Sequence, residues 1–208
     1  MIVTEIVEIS KKQSRVCVDH DLCFVLYKGE LRQYGIAEGE ELAEETCRKL
    51  LEELLPRRAK LRAMNLLQSR DYTERQLQDK LRDGGYPETV VFQALEYVKS
   101  FHYIDDLRYA GDYLAAFAGR RSLRRMEQDL QQKGISKAVI EQAVTAWQEQ
   151  DGGQDELQMA CALLEKKHYD RDTCDRKQQQ RMYNFLAYRG FSSEVIRKAL
   201  RTDWETLE

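Results

Sequence analysis

The chain has 208 residues, of which 33 are basic and 36 acidic, for a formal net charge of −3. At 42% hydrophobic and 33% charged it holds enough apolar material for a core, and too much for a disordered chain. A pI near 5.8 argues against gripping nucleic acid by bulk charge, and no run approaches the roughly 18 apolar residues of a membrane span.

The start, Met1 to Ser10, lacks the basic-then-apolar pattern of a secretory leader, so the expected compartment is the cytoplasm. Five cysteines with no Cys-x2-Cys pair are expected as free thiols in that reducing environment. Ile2–Ile9, Val16–Val18 and Cys23–Tyr27 favour strands, and Asp19-His20-Asp21 divides the last two, which predicts a small antiparallel sheet. Gly29, Gly35 and Gly39 punctuate a loop region. Glu40 to Leu55 then shows apolar residues at three-to-four spacing and predicts a covering helix. Pro56 either stops that helix or sits in the first turn of the next. Residues 1–56 carry 7 basic and 12 acidic side chains and residues 57–208 carry 26 and 24, so the body's positive charge must act through local patches.

From Arg57 onward the chain repeats. Leu81-x3-Gly85-Tyr86, Leu130-x3-Gly134-Ile135 and Leu186-x3-Gly190-Phe191 align, and the agreement continues without gaps. Val90-Val91, Val139-Ile140 and Val195-Ile196 coincide, as do Ala94-Leu95, Ala143-Val144 and Ala199-Leu200. The pattern predicts a mainly α protein of three tandem three-helix repeats in an elongated array, after a small β-rich segment. The boundaries are 1–56, 57–104, 105–151 and 152–208. In the first unit, Ala59–Gln68 forms a helix with Leu61, Met64, Leu66 and Leu67 facing inward. Thr73-x-x-Gln76 is a capping box opening the second helix, on which Leu77 and Leu81 are buried. Gly85 takes a left-handed helix end, and Pro87 starts a third helix. Ser136, and Ser192 or Ser193, cap the later copies.

Few residues suggest chemistry. Cys17-x2-His20-x2-Cys23 has zinc-ligand types, but odd spacing in strands sends neighbours to opposite faces and no fourth ligand adjoins. A hairpin turning at His20 is the better reading. Asp170-x-Asp172-x2-Asp175 lacks the glycine and terminal acid of a calcium loop. Asp105 and Asp106 read as a helix start, with Ile104 and Tyr109 as a hydrophobic staple, and Tyr109, Tyr113 and Phe117 form a core stripe. Arg120, Arg121, Arg124 and Arg125, with Lys133 behind them, form the patch that can meet an acidic surface or phosphates; the bland alternative is a solvated helix face. Arg57, Arg58, Lys60 and Arg62, and the Lys166-Lys167 and Arg176-Lys177 region, are weaker patches of the same kind. No catalytic constellation, metal site or cofactor motif emerges, and the expectation is a non-enzymatic protein.

Leu67-x-Ser69-Arg70-x2-Thr73-Glu74-x2-Leu77-x2-Lys80-Leu81-x3-Gly85-Tyr86 resembles the first-repeat signature of the RecX regulatory proteins. Tyr103-Ile-Asp105-Asp106-x2-Tyr109-Ala110-x2-Tyr113, the following arginines, and Leu130-x3-Gly134-Ile135 resemble the second. His20 and Ser122 stand where that family often has glycine. The stacked repeats predict a monomer, and the resemblance implies that it binds the RecA recombinase filament on single-stranded DNA. It implies modulation, with inhibition the expected direction, of ATP hydrolysis and strand exchange in recombination, DNA repair and the SOS response. A weak direct DNA contact is a further expectation. An adaptor or nucleic-acid binder acting without RecA is the alternative, and salt dependence separates the two.

Overall fold

A computed structural model describes residues 1–170 and 172–201, the side chain of Asp151 excepted. Strands β1 (Val3–Glu8), β2 (Gln13–Val18) and β3 (Leu22–Tyr27) form an antiparallel sheet in chain order. The β2–β3 turn puts Asp19 and His20 at φ 49° and 65°, left-handed values that these two residue types tolerate better than most. One expectation fails here. Cys17 and Cys23 are cross-strand partners with Cα atoms 4.1 Å apart, and they form a disulfide rather than free thiols. Residues paired across a hairpin share a face whatever their spacing along the chain, so the register brings the two sulfurs together. Cys47, Cys161 and Cys174 keep their thiols.

Helix α1 (Lys28–Gln33) follows the sheet. The covering helix α2 (Glu44–Lys49) starts later than the periodicity suggests. Glu40 and Leu42 are instead tied to the N-terminal edge, through Val3 N to Glu40 O at 3.0 Å and Leu42 N to Met1 O at 2.8 Å. After α2 a wide π-type stretch (Leu50–Leu54) leads directly into α3 (Leu55–Ser69), with Pro56 in its first turn, so the chain does not break there. Leu55, Ala59, Ala63 and Leu66 form the buried face of α3. Leu61 points the other way, 57% exposed, because two residues from Ala59 is more than half a turn around the helix.

The repeat units have the expected three helices. The first continues through α4 (Glu74–Asp83) and α5 (Glu88–Ser100). The second contains α6 (Asp106–Phe117), α7 (Leu123–Gln132) and α8 (Lys137–Asp151), and the third α9 (Glu156–Glu165), α10 (Arg176–Tyr188) and α11 (Ser193–Ala199). Thr73 makes both halves of its capping box, accepting from Gln76 N at 3.2 Å while its own N–H reaches Gln76 Oε1 at 3.4 Å. Ser136 caps α8, and Ser192, not Ser193, caps α11. Pro87 lies one residue earlier than expected, at the N-cap of α5. Gly85, Gly134 and Gly190 have φ of 76°, 90° and 89°, the left-handed ends that the shared glycine requires. Arg171, in the charged stretch 171–180 of the third unit, and residues 202–208 lie outside the described residues.

By compactness the chain divides into Met1–Asp105 and Asp106–Glu208. In the first unit the sheet and the first repeat share one apolar core. Val16, Val18, Phe24 and Leu26 pack with Leu50, Leu55, Ala59, Leu77, Leu81 and Val91. In the second, two cores stand apart, one around Leu114, Met126, Leu130 and Ile140, the other around Leu164, Leu186, Phe191 and Ile196.

Candidate functional site

Arg120 and Arg121 leave the end of α6, and Arg124 and Arg125 lie on the first turn of α7. The turn between the helices rests on Ser122. That residue is fully buried, its Oγ accepts from Arg125 N at 3.3 Å to cap α7, and it donates to the carbonyl of Arg189 at 2.7 Å. A serine where glycine is common thus gives the backbone a fixed path.

The four arginines are not equivalent. Asp129, 7% exposed, accepts hydrogen bonds from Arg121 Nη1 and from Tyr113 Oη at 3.0 Å, and pairs with Arg125 Nε at 3.1 Å. Burial of an unpaired carboxylate costs several kcal/mol, so this acid requires its cations. Arg121 also lies 4.1 Å above the Phe117 ring. Arg121 and Arg125 are therefore braces of the second repeat as well as surface charges. Changing all four arginines together would therefore disturb the fold. Arg120 and Arg124 are exposed and make no ion pair within 4 Å among the described residues, although Arg124 lies near enough to Glu127 to favour its charged form. Burial raises the Tyr113 phenol first, and its bond to Asp129 adds to that, pushing the pKa up to about 12. Lys133 ends α7 with its ammonium 5.8 and 5.6 Å from the Tyr109 and Tyr113 rings. The aromatic stripe is thus packed against the core and roofed by cations.

The third repeat adds residues that the sequence did not single out. Arg189 and Tyr188, at the end of α10, face the Arg120–Arg125 segment across a cleft of about 350 Å³. Gln154 bridges the two repeats, accepting from Gly119 N at 2.9 Å and donating to Arg121 O at 2.9 Å. Glu156 accepts from Leu123 N at 2.7 Å. Gly190 makes the approach possible, because a Cβ there would lie 2.6 Å from Ser122 Oγ and 3.2 Å from Arg125 N. No periodicity announces these contacts, since Ser122 and Arg189 are 67 residues apart.

Three cations of the weaker patches are used within the fold. Arg58 pairs with Glu30 at 2.9 Å and covers the Tyr27 ring, tying α3 to α1 and β3. Lys60 sits over Tyr97, and Lys167 over Phe185. Asp175 caps α10, accepting from Gln178 N at 2.6 Å, and Asp170 accepts from Asp172 N at 2.9 Å. The acid-rich stretch is therefore a turn and a cap. Among the described residues no group of three or more acid, histidine or cysteine side chains could hold a metal, and no helix is long and apolar enough to cross a membrane.

The fold and this cationic junction define a tandem three-helix-repeat protein. Family models for the first, second and third three-helix domains of RecX match residues 59–97, 105–144 and 154–200. The chain is 34% identical over 139 residues to the regulatory protein RecX of Vibrio parahaemolyticus, covering 66% of this chain and 86% of that one. It is 24% identical over 205 residues to that of Clostridioides difficile, covering 96% and 94%. A crystal structure of a regulatory protein RecX superposes with a TM-score of 0.61 at 24% identity, covering 94% of this chain and 97% of that chain. The chain belongs to the RecX family of regulatory proteins.

Proposed function

We propose that this protein binds the RecA recombinase filament on single-stranded DNA and inhibits its ATP hydrolysis and strand exchange, in recombination, DNA repair and the SOS response. It acts as a monomer, in the cytoplasm, without catalysing a reaction itself. The observation that carries this reading is the match of all three repeats to one family of regulators. The exposed charges of Arg120 and Arg124, which make no ion pair within 4 Å among the described residues, support it, since such guanidinium groups can fork onto carboxylates or phosphates of a partner. Lys133 and the braced Arg121 and Arg125 complete the proposed contact face.

The test is a RecA ATPase assay on single-stranded DNA, titrated with the purified protein. The expected result is a dose-dependent fall in turnover, with Arg120→Glu/Arg124→Glu requiring more protein for the same effect, because charge reversal slows association. Unchanged ATPase at saturating wild-type protein would overturn the proposal.

A further inference from the structure

The cleft between the second and third repeats combines three features. First, four guanidinium groups line it, from Arg120, Arg121, Arg125 and Arg189, and no acidic side chain among the described residues does. Asp129 occupies Arg121 and Arg125 from behind, whereas Arg120 and Arg189 have no acid partner among the described residues. Second, two of these groups lie over rings, Arg189 at 3.8 Å from the Phe185 centroid and Arg121 at 4.1 Å from that of Phe117. A guanidinium laid on a ring keeps its edge N–H donors for an anion and loses little freedom when it binds one. Third, Tyr188 lines the same cleft at 87% exposure, the most exposed large hydrophobic side chain among the described residues.

We infer that this cleft holds a stretch of single-stranded nucleic acid, with phosphates on Arg120 and Arg189 and one base stacked on Tyr188. The inference rests on the regulator reading above and narrows it by naming the strand, rather than the recombinase, as what this cleft meets. The aromatic ring decides between occupants. An acidic protein segment would satisfy the arginines and leave Tyr188 without a role. A duplex would offer phosphates but keep its bases stacked inside. An unpaired strand offers both a phosphate and a free base face, and such pairs of cation and ring are how single strands are gripped without sequence preference.

The experiment uses the full chain without recombinase and follows the anisotropy of fluorescein-labelled oligothymidylate. Binding should weaken as salt rises. Arg120→Glu/Arg189→Glu should weaken it tenfold or more. Tyr188→Ala should weaken it about fivefold or more, and Tyr188→Phe should restore it, because stacking needs the ring and not the hydroxyl. A labelled poly-glutamate peptide should be indifferent to Tyr188. As a check that involves no variant, an oligonucleotide carrying 5-iododeoxyuridine should photo-cross-link to the wild-type protein at Tyr188. Absence of oligonucleotide binding, or cross-links confined to other faces, would overturn the inference. So would a peptide that competes fully with an oligonucleotide whose affinity ignores Tyr188. If the strand is not bound but recombinase ATPase still falls, this inference fails and the proposed function stands. If the strand is bound at the cleft and ATPase is unaffected, the reverse holds.

Discussion

Gly85 and Gly190 occupy equivalent places in the first and third repeats, yet the surfaces they press against differ in kind. Gly85 meets β3, where its carbonyl accepts from Val25 N at 3.2 Å and an added Cβ would fall 2.1 Å from Val25 Cγ2. Around that contact the apolar core is continuous, so the sheet and first repeat bury each other. Gly190 meets a buried serine and the backbone of an arginine, and the cores on either side stay separate. Apolar burial is non-directional and makes one body of two elements. A junction built from Ser122, Gln154 and Glu156 fixes position with a few directed bonds and leaves guanidinium groups at the surface. The comparison teaches that one repeat geometry can serve architecture at one joint and exposed charge at another.

The largest effects should come from breaking the two joints. Gly85→Val combines a left-handed φ with a core clash and should cost about 2–5 kcal/mol. Urea denaturation with hydrogen exchange should show the sheet and first repeat lost together. Gly190→Val should cost about 2–3 kcal/mol, with exchange rising in residues 106–201 only, since no shared apolar core spreads the damage. Equal, chain-wide exchange in both variants would erase the distinction. Ser122→Ala removes a helix cap and the bond to Arg189 and should cost about 1–2 kcal/mol in thermal melts; an unchanged Tm would mean that the polar joint does not depend on it.

The smallest effect is at high pH. Because the folded Tyr113 pKa lies above the unfolded value near 10, its contribution to stability is present below pH 10 and is lost as pH rises towards about 12. Stability measured across that window should fall in the wild type and fall less in Tyr113→Phe. An identical pH profile would place the titration elsewhere.

Much of the fold was legible because it is local. Three copies of a leucine followed by a left-handed glycine, a capping box and the short Asp19–Asp21 turn all express their geometry within a few residues. What was not legible depends on where distant chain segments meet. The Cys17–Cys23 bond follows from hairpin register rather than spacing. Leu61 fails because Ala59 and Ala63, small residues that count little in an apolar tally, set the buried face. The arginine patch was found as a charge count, but a count cannot tell that Asp129 occupies two of the four. Arg189 and Tyr188 enter the site only because Gly190 lets α10 approach Ser122. The one sequence signal for that approach was Ser122 itself, a small polar residue inside a run of arginines.

Hydrogen exchange of the full chain, with and without recombinase filaments on single-stranded DNA, tests the division of labour between the two joints most directly. Filaments should protect amides of residues 118–125 and 186–191 and leave those of β3 and Gly84–Tyr86 unchanged. Protection confined to β3 and Gly84–Tyr86, with the arginine joint exchanging as before, would contradict the assignment of partner contact to the polar joint.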